Sequence, residues 1–179
     1  LALLTKSRQV VLLEIGAGTG GTASSVLPLL DGSCQLYIFT DVSTFFLRQA
    51  RVRFARFRFL EYELLNIDAD PCLQGFQPGQ CDAILATNVL HATPFMRNTL
   101  CNCQQLLRQG GVLAVNELVR IDIFYQMTFG MTDGWWLFSE CRDPERIGQD
   151  SPLLSWRQWE ALFLDSDFHS GRLMQGDTF

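Results

Sequence analysis

Residues 10–21 of this chain read VVLLEIGAGTGG, and this stretch decides the fold. Its first six residues are apolar apart from Glu14, which predicts a buried strand that ends at the glycines. Glycine lets a backbone turn tightly and approach a ligand closely, and a helix predicted over 19–30 would offer free N–H groups beside the turn. The stretch therefore predicts a strand, a ligand-binding loop and a helix in succession.

The same alternation of strand and helix continues to residue 118. Further strands are predicted over 36–40, 58–65, 82–87 and 112–118, with helices over 44–53, 94–107 and 156–164. This order predicts an α/β fold, a mostly parallel Rossmann-like sheet with helices on both faces. We expect a single domain over 1–179. Its cofactor-binding core is 10–118, and 119–179 is an aromatic-rich substrate-side segment that ends in a helix and a strand.

The composition is that of a globular domain. Of 179 residues, 47% are hydrophobic and 18% are charged, so the chain can bury a core and is not disordered as a whole. No apolar run approaches the roughly 20 residues of a membrane helix, and a net charge of −5 argues against nucleic-acid binding through bulk charge. The six cysteines form no CxxC pair and there are two histidines, so we expect free thiols, no metal site and a cytoplasmic location.

An acidic residue follows the second predicted strand. Asp41 lies about 20 residues beyond the glycines, where a carboxylate can accept both hydroxyls of a ribose, so the sequence predicts a nucleoside-containing cofactor. Gly16, Gly18 and Gly21 also satisfy the GxGxxG pattern of dinucleotide sites. Glu14 favours S-adenosylmethionine instead, because a carboxylate suits the cationic methionine end and not a pyrophosphate. A P-loop is excluded, since no Gly-Lys-Ser/Thr follows the glycines.

The fourth and fifth predicted strands each lead to a candidate catalytic residue. His91 follows the strand at 82–87, and Glu117 lies at the end of the strand at 112–118. Neighbouring parallel strands end at the same edge of a sheet, so an imidazole and a carboxylate can meet there above the cofactor. A carboxylate on one ring nitrogen would fix the tautomer and leave the other nitrogen as a general base. A histidine held by local backbone and a glutamate in solvent fit the spacing equally well.

Four stretches carry a resemblance to a known family. Residues 14–22 (EIGAGTGGT), 39–46 (FTDVSTFF), 88–93 (NVLHAT) and 129–136 (FGMTDGWW) resemble the C-methyltransferase domain of type I polyketide synthases. The similarity runs from about residue 10 to residue 168. Such domains methylate the α-carbon of a β-ketoacyl chain on an acyl carrier protein, and they use a His/Glu pair as the base. The resemblance implies S-adenosylmethionine as cofactor and His91 and Glu117 as the catalytic pair.

The resemblance also implies a binding site and its partners. It implies that the cofactor contacts are Glu14, Gly16, Ala17, Gly18, Thr19, Gly20, Asp41, Val42, Asn66, Ile67, Asn88 and Val89. It suggests Tyr125 and Trp135 as substrate contacts, although Trp135 and Trp136 fit core packing equally well. The implied partners are an acyl carrier protein with a phosphopantetheine-linked β-ketoacyl chain and other domains of the same megasynthase, with no nucleic acid and no membrane.

Two departures from the family pattern bear on these expectations. Family members often carry Asp where this chain has Asn66, which places the adenine contact there in question. Family domains also have a helical lid before the glycine strand, and here nine residues precede Val10, so we expect truncation at the lid and at the last strand.

Several alternatives stay open on sequence. An O-methyltransferase of the same fold, an inactive structural domain of a megasynthase and a nicotinamide-dependent reductase are the rival functions. The five arginines of 48–59 (RQARVRFARFRF) could dock an acidic carrier protein or a nucleic acid, but a solvated helix face that runs into a strand is favoured.

Overall fold

The computed structural model of the protein describes residues 10–120 and 123–168. The strands are β1 Val10–Ile15, β2 Cys34–Asp41, β3 Leu60–Leu64, β4 Cys81–Thr87 and β5 Leu107–Asn116. The α-helices are α1 Gly21–Leu30, α2 Thr44–Arg53, α3 Met96–Leu106, α4 Ile123–Phe129, α5 Asp133–Glu140 and α6 Trp156–Asp165. Short 3₁₀ turns lie at Pro71–Gln74, Leu90–Ala92 and Pro144–Arg146.

The five strands form one sheet in the order β3-β2-β1-β4-β5, and every neighbouring pair is parallel. This confirms the predicted α/β fold with a Rossmann-like sheet. All the strands point the same way, so the loops after them meet at one edge. The strand order reverses between β1 and β4, which is where ligands bind in open α/β sheets.

Helices cover the two faces of the sheet because strand side chains alternate between them. On one face, Leu27 of α1 and Leu47 of α2 pack with strand residues such as Phe39. Leu106 of α3 and Trp159 of α6 belong to the apolar clusters on the other face. None of the helices in the described parts of the chain combines the length and the apolar character needed to span a bilayer.

Element boundaries differ from the sequence prediction in two informative places. α1 begins at Gly21 and not at 19, because Gly20 adopts a φ of +79°, outside the helical region. β5 begins at Leu107 and not at 112, and it ends at Asn116. Leu107 pairs with Cys81, and the register then shifts before the regular ladder resumes at Val112. The sequence predicted a helix that ends at 107, but α3 ends at Leu106 and Leu107 is the first residue of β5.

The aromatic-rich segment after β5 forms two helices, α4 and α5, which the sequence prediction left unassigned. Trp135 and Phe138, three residues apart, are the buried side chains of α5 and lie on one side of the helix. α6 agrees with its prediction within one residue, and Ser155 caps it in a capping box with Gln158. The predicted final strand lies outside the described residues.

Candidate active site

The glycine loop after β1 has a backbone that other residues could not adopt without strain. Gly16, Gly18 and Gly20 have φ values of +57°, +54° and +79°. A Cβ on Gly16 would lie 2.3 Å from Cγ2 of Val89, and a Cβ on Gly20 would lie 2.6 Å from Phe54. At Gly18 the nearest atom to such a Cβ would be 3.9 Å away, so a ligand can approach this backbone closely. The loop is therefore packed against the protein at Gly16 and Gly20 and open to a ligand at Gly18.

Asp41, at the end of β2, ties the glycine loop to the next strand. Its carboxylate accepts hydrogen bonds from the Gly18 N–H at 2.9 Å and the Ser43 N–H at 2.8 Å. The Ala17 N–H donates to the Thr40 carbonyl at 2.9 Å, which joins the loop to β2 a second time. A carboxylate can accept about four hydrogen bonds, so Asp41 keeps capacity for ribose hydroxyls while it holds the loop.

Glu14 lies inside the protein, beneath the start of α1. Its side chain is buried and accepts a hydrogen bond from the Tyr37 hydroxyl at 2.7 Å. Burial raises the pKa of Glu14 to about 7, and hydrogen bonds from Tyr37, Thr22 and the Ala23 backbone oppose the rise. Any contact with a methionine amino group would therefore involve a carboxyl that is already bonded to the protein.

Asn66 and Ile67, two of the predicted cofactor contacts, are held in place by neighbouring residues. Asn66 exchanges hydrogen bonds with Gln74, at 2.8 Å in both directions. The Ile67 side chain is buried in the core, and its carbonyl accepts from Asn102 Nδ2 at 2.6 Å. A contact from Ile67 to a cofactor would therefore come from its backbone.

The loops after β4 and β5 bring His91 and Glu117 into contact. His91 Nδ1 lies 2.6 Å from Glu117 Oε2. The other oxygen, Oε1, accepts from the backbone N–H groups of Val89 at 2.8 Å and Leu90 at 2.7 Å. The Glu117 side chain is 2% exposed and that of His91 is 10% exposed. A carboxylate in this position fixes Nδ1 as the protonated nitrogen and leaves the Nε2 lone pair free to accept a proton.

A buried arginine holds the backbone of the His91 loop in place. The guanidinium of Arg146 donates to the carbonyls of His91 at 2.7 Å and Thr93 at 2.6 Å, and it pairs with Asp143 at 2.5 Å. It also lies over the ring of Phe138, 5.2 Å from its centroid. Burial lowers the pKa of Arg146, and the ion pair with Asp143 opposes this effect. The arrangement fixes the loop that carries the imidazole.

Beside His91 is a pocket of about 240 Å³ with mainly aromatic walls. Tyr125, Phe129 and Trp135 form a continuous stack with centroids 6.2 Å apart, and Trp135 meets the edge of the His91 ring at 5.6 Å. Asn88, predicted as a cofactor contact, also lines this pocket. The remaining lining residues are Ala92, Leu118, Thr132 and Gly134.

The structure brings most of the predicted site residues to one edge of the sheet. Around the glycine loop lie Gly16, Ala17, Gly18, Gly20, Asp41 and Val89, and around the aromatic pocket lie Asn88, His91, Tyr125 and Trp135. Thr19 and Val42 are exposed at the same edge. The exceptions are Glu14 and Ile67, whose side chains point into the protein. Trp136 is 39% exposed and takes no part in the pocket lining.

Four residues that shape this site, Tyr37, Phe129, Asp143 and Arg146, were not predicted from the sequence. A buried Glu14 needed a donor on a neighbouring strand, and this requirement could have pointed to Tyr37. Asp143 and Arg146 gave no comparable signal, because they lie in a polar loop far along the chain from His91. In residues 10–120 and 123–168 no group of three His, Cys, Asp or Glu side chains could hold a metal ion.

A glycine loop after β1, an acid after β2 and this strand order are shared by class I methyltransferases and dinucleotide-binding domains, and similarity to known proteins distinguishes the two. The chain belongs to the family described as "Methyltransferase domain", whose model matches residues 13–113. It is 40% identical over 163 residues to the squalestatin tetraketide synthase clz2 of Cochliobolus lunatus, with 88% of this chain aligned. The chain spans 6% of that synthase.

Two solved structures are similar over almost the whole chain. The CurJ carbon methyltransferase matches 90% of this chain and 42% of its own, with 42% identity and a TM-score of 0.84. The trans-methyltransferase CalH, solved in complex with SAH, matches 92% of this chain and 46% of its own, with 34% identity and a TM-score of 0.82. These matches confirm the resemblance to polyketide synthase C-methyltransferase domains and S-adenosylmethionine as the cofactor.

The residues at the sheet edge fit this cofactor. The backbone at Gly18 is open to close approach, and the Asp41 carboxylate stands next to it with acceptor capacity left. The side chain of Val89 packs against Gly16, so the glycine loop and the His91 loop are in direct contact. A cofactor on the glycine loop would therefore lie next to the His91–Glu117 pair.

Proposed function

We propose that this domain transfers a methyl group to the α-carbon of a β-ketoacyl chain held on an acyl carrier protein. The observation that carries the proposal is the His91–Glu117 pair: its imidazole lines an aromatic pocket, and the His91 loop adjoins the glycine loop. A carbon acid between a ketone and a thioester needs a base to lose its proton, whereas the sulfonium methyl needs no acid to activate it.

His91 would act as the general base. Because Glu117 accepts a hydrogen bond from Nδ1–H, the proton of the α-carbon would move to Nε2, and the electron pair would move onto the carbonyl oxygens. Two backbone N–H groups hold Glu117, so the carboxylate cannot rotate away from the imidazole without loss of three hydrogen bonds. Arg146 would keep the His91 backbone fixed during the reaction.

When bound, S-adenosylmethionine supplies an electrophilic methyl group: the sulfur–carbon bond breaks as the carbon–carbon bond forms, and the sulfonium leaves as a neutral thioether. The glycine loop and Asp41 would hold the cofactor, while Tyr125, Phe129 and Trp135 would hold the acyl chain. Fixing two reactants at near-attack distance supplies a large share of the rate in such reactions.

The proposal extends to partners and organisation. The donor of the acyl chain would be a phosphopantetheine-bearing carrier protein in the cytoplasm, and the other domains of a polyketide synthase would be its neighbours. Residues 10–118 would form the cofactor-binding core and 119–179 the substrate side. Relatives that are named polyketide synthase support this context.

The test is to incubate the full-length protein with S-adenosylmethionine and a β-ketoacyl carrier protein, and to follow the acyl group by mass spectrometry. We expect methyl transfer to carbon in the wild type, and its loss in His91→Ala. Transfer to the enol oxygen would favour an O-methyltransferase, and cofactor binding without any transfer would favour an inactive domain.

A further inference from the structure

The aromatic pocket contains a buried hydrogen-bond donor without a partner. Trp135 is 2% exposed, and its indole nitrogen, Nε1, makes no hydrogen bond within the described residues. Leaving such a donor unpaired in the interior is unfavourable, and most buried polar groups in proteins are paired. Trp135 lines the pocket beside His91, although Nε1 itself has almost no accessible surface, so an acceptor on a ligand in that pocket would reach it after a small rotation of the indole.

A second donor lines the same pocket. The Leu118 N–H donates to Oδ1 of Asn88 at 3.2 Å, which fixes the orientation of the amide. The amide nitrogen, Nδ2, is thereby left as a donor, with no acceptor bonded to it among the described residues. Asn88 has a φ of +47°, a left-handed conformation that Asn tolerates better than most residues. Its N–H is bonded to the Asn116 carbonyl at 2.8 Å, so the backbone is fixed as well.

The reaction proposed above develops negative charge on oxygen. When the α-proton moves to His91 Nε2, the electron pair left on carbon spreads onto the ketone and thioester oxygens. An enolate with two oxygens needs donors that are already in place before the charge appears. Among the other polar side chains of the wall, the Thr132 hydroxyl already donates to the Phe129 carbonyl.

We propose that the Trp135 indole N–H and the Asn88 side-chain amide form the oxyanion site of this pocket and donate to the two oxygens of the enolate. The inference rests on the proposed function and adds the substrate class: a 1,3-dicarbonyl thioester, with both oxygens recognised. Trp135 and Asn88 are then catalytic residues, and the chemistry of the pocket is divided between one base and two donors.

The experiment measures methyl transfer from S-adenosylmethionine to acetoacetyl pantetheine in the full-length protein carrying Trp135→Phe. We expect kcat to fall about 100-fold, as for other oxyanion donors, with KM within about threefold. With SAH in the cofactor site, the ultraviolet absorbance of the bound enolate gives the apparent pKa of the bound substrate. That pKa should rise by about two units, because loss of a donor destabilises only the charged form.

The chain offers a matched control in its second unpaired tryptophan. Trp159 Nε1 is also buried without a partner, but Trp159 belongs to the apolar cluster with Leu154 and Leu162 and not to the pocket. Trp159→Phe makes the same chemical change, so it should leave kcat and the substrate pKa unchanged. Replacement of Trp135 by benzothienylalanine removes the N–H while it keeps the size of the ring, and it should reproduce the loss.

Asn88→Asp provides an independent variant. Asn88 is an exposed residue at the pocket wall, and Asp keeps both the acceptor for Leu118 and the tolerance of positive φ. We expect a loss of kcat as large as that of Trp135→Phe. Unchanged kcat and substrate pKa in both variants, with an active wild type, overturn the oxyanion site alone. A wild type that methylates no carbon acid overturns the proposed function, and the oxyanion site with it.

Discussion

The hydrogen bonds of Glu117 make Glu117→Gln a sharp test of the catalytic pair. Oε1 faces two N–H donors, those of Val89 and Leu90, so the oxygen of a glutamine must occupy that side. Its NH₂ group then faces His91 Nδ1 at the position of Oε2 and donates to it. The imidazole proton must move to Nε2, the nitrogen that has to accept the α-proton.

The expected loss is large because the base is held in the wrong tautomer. The corresponding Asp→Asn change in serine proteases, a worked case of the same logic, lowers kcat about 10⁴-fold. We expect a similar factor here, which corresponds to about 5 kcal/mol of transition-state stabilisation. The variant should fold normally, since glutamine has the same size and retains both backbone hydrogen bonds.

The assay is a single-turnover measurement of methyl transfer to a β-ketoacyl carrier protein, with Glu140→Gln as control. Glu140 is exposed at the end of α5, so its variant should keep the wild-type rate. Thermal unfolding and cofactor affinity should be the same in both variants. A loss smaller than tenfold in Glu117→Gln would refute the tautomer argument.

Three further predictions concern stability and cofactor binding. The pKa of Glu14 is raised from 4.5 to about 7 in the folded protein. The protonated carboxyl therefore stabilises the fold fully below the pKa of the unfolded chain, and this stabilisation is lost as the pH rises through the pKa of the folded protein. Between about pH 5 and about pH 8, the free energy of unfolding of the wild type should fall by about 2.5 kcal/mol more than that of Glu14→Gln. Urea unfolding at each pH would measure the difference, and equal losses in the two proteins would contradict the assignment. Arg146→Met should destabilise the protein by about 3 to 5 kcal/mol, because Asp143 is left buried and unpaired. Arg157, an exposed residue of α6, provides the control, and a melting-temperature shift no larger than that of Arg157→Met would contradict the prediction. Gly16→Ala places a Cβ 2.3 Å from Val89 and should weaken S-adenosylmethionine binding at least tenfold by calorimetry, whereas Gly32→Ala, with a φ of +81° and open space, should not.

Local sequence patterns were sufficient to predict the sheet edge. The strand at Val10–Ile15 and the helix at Thr44–Arg53 agree with their predicted bounds, because apolar runs and helix-forming residues fix them without help from distant parts of the chain. His91 and Glu117 meet as the parallel order of β4 and β5 allows. The prediction of these elements needed the rules of parallel sheets and no distance information.

Tertiary contacts determine what the sequence could not predict. Leu107 follows a helix and precedes Gly110 and Gly111, yet it pairs with Cys81 in the sheet, a choice that depends on β4 and not on local propensity. Arg146 reaches the His91 loop across 55 positions of sequence, and its burial depends on Asp143 and the carbonyls around it. The unpaired indole of Trp135 is visible only once its surroundings are known.

The β4–β5 ladder pairs Thr87 with Asn116, one step before the loops that carry His91 and Glu117. Successive side chains of a strand point to opposite faces, so a slip of one residue in this pairing would turn Glu117 to the other face of the sheet. A folding intermediate with β5 out of register would have a normal sheet by circular dichroism, a normal glycine loop and no imidazole–carboxylate contact. Recovery of activity during refolding should therefore measure when β5 reaches its native register with β4. In molecules that first pair β5 out of register, activity should return later than secondary structure.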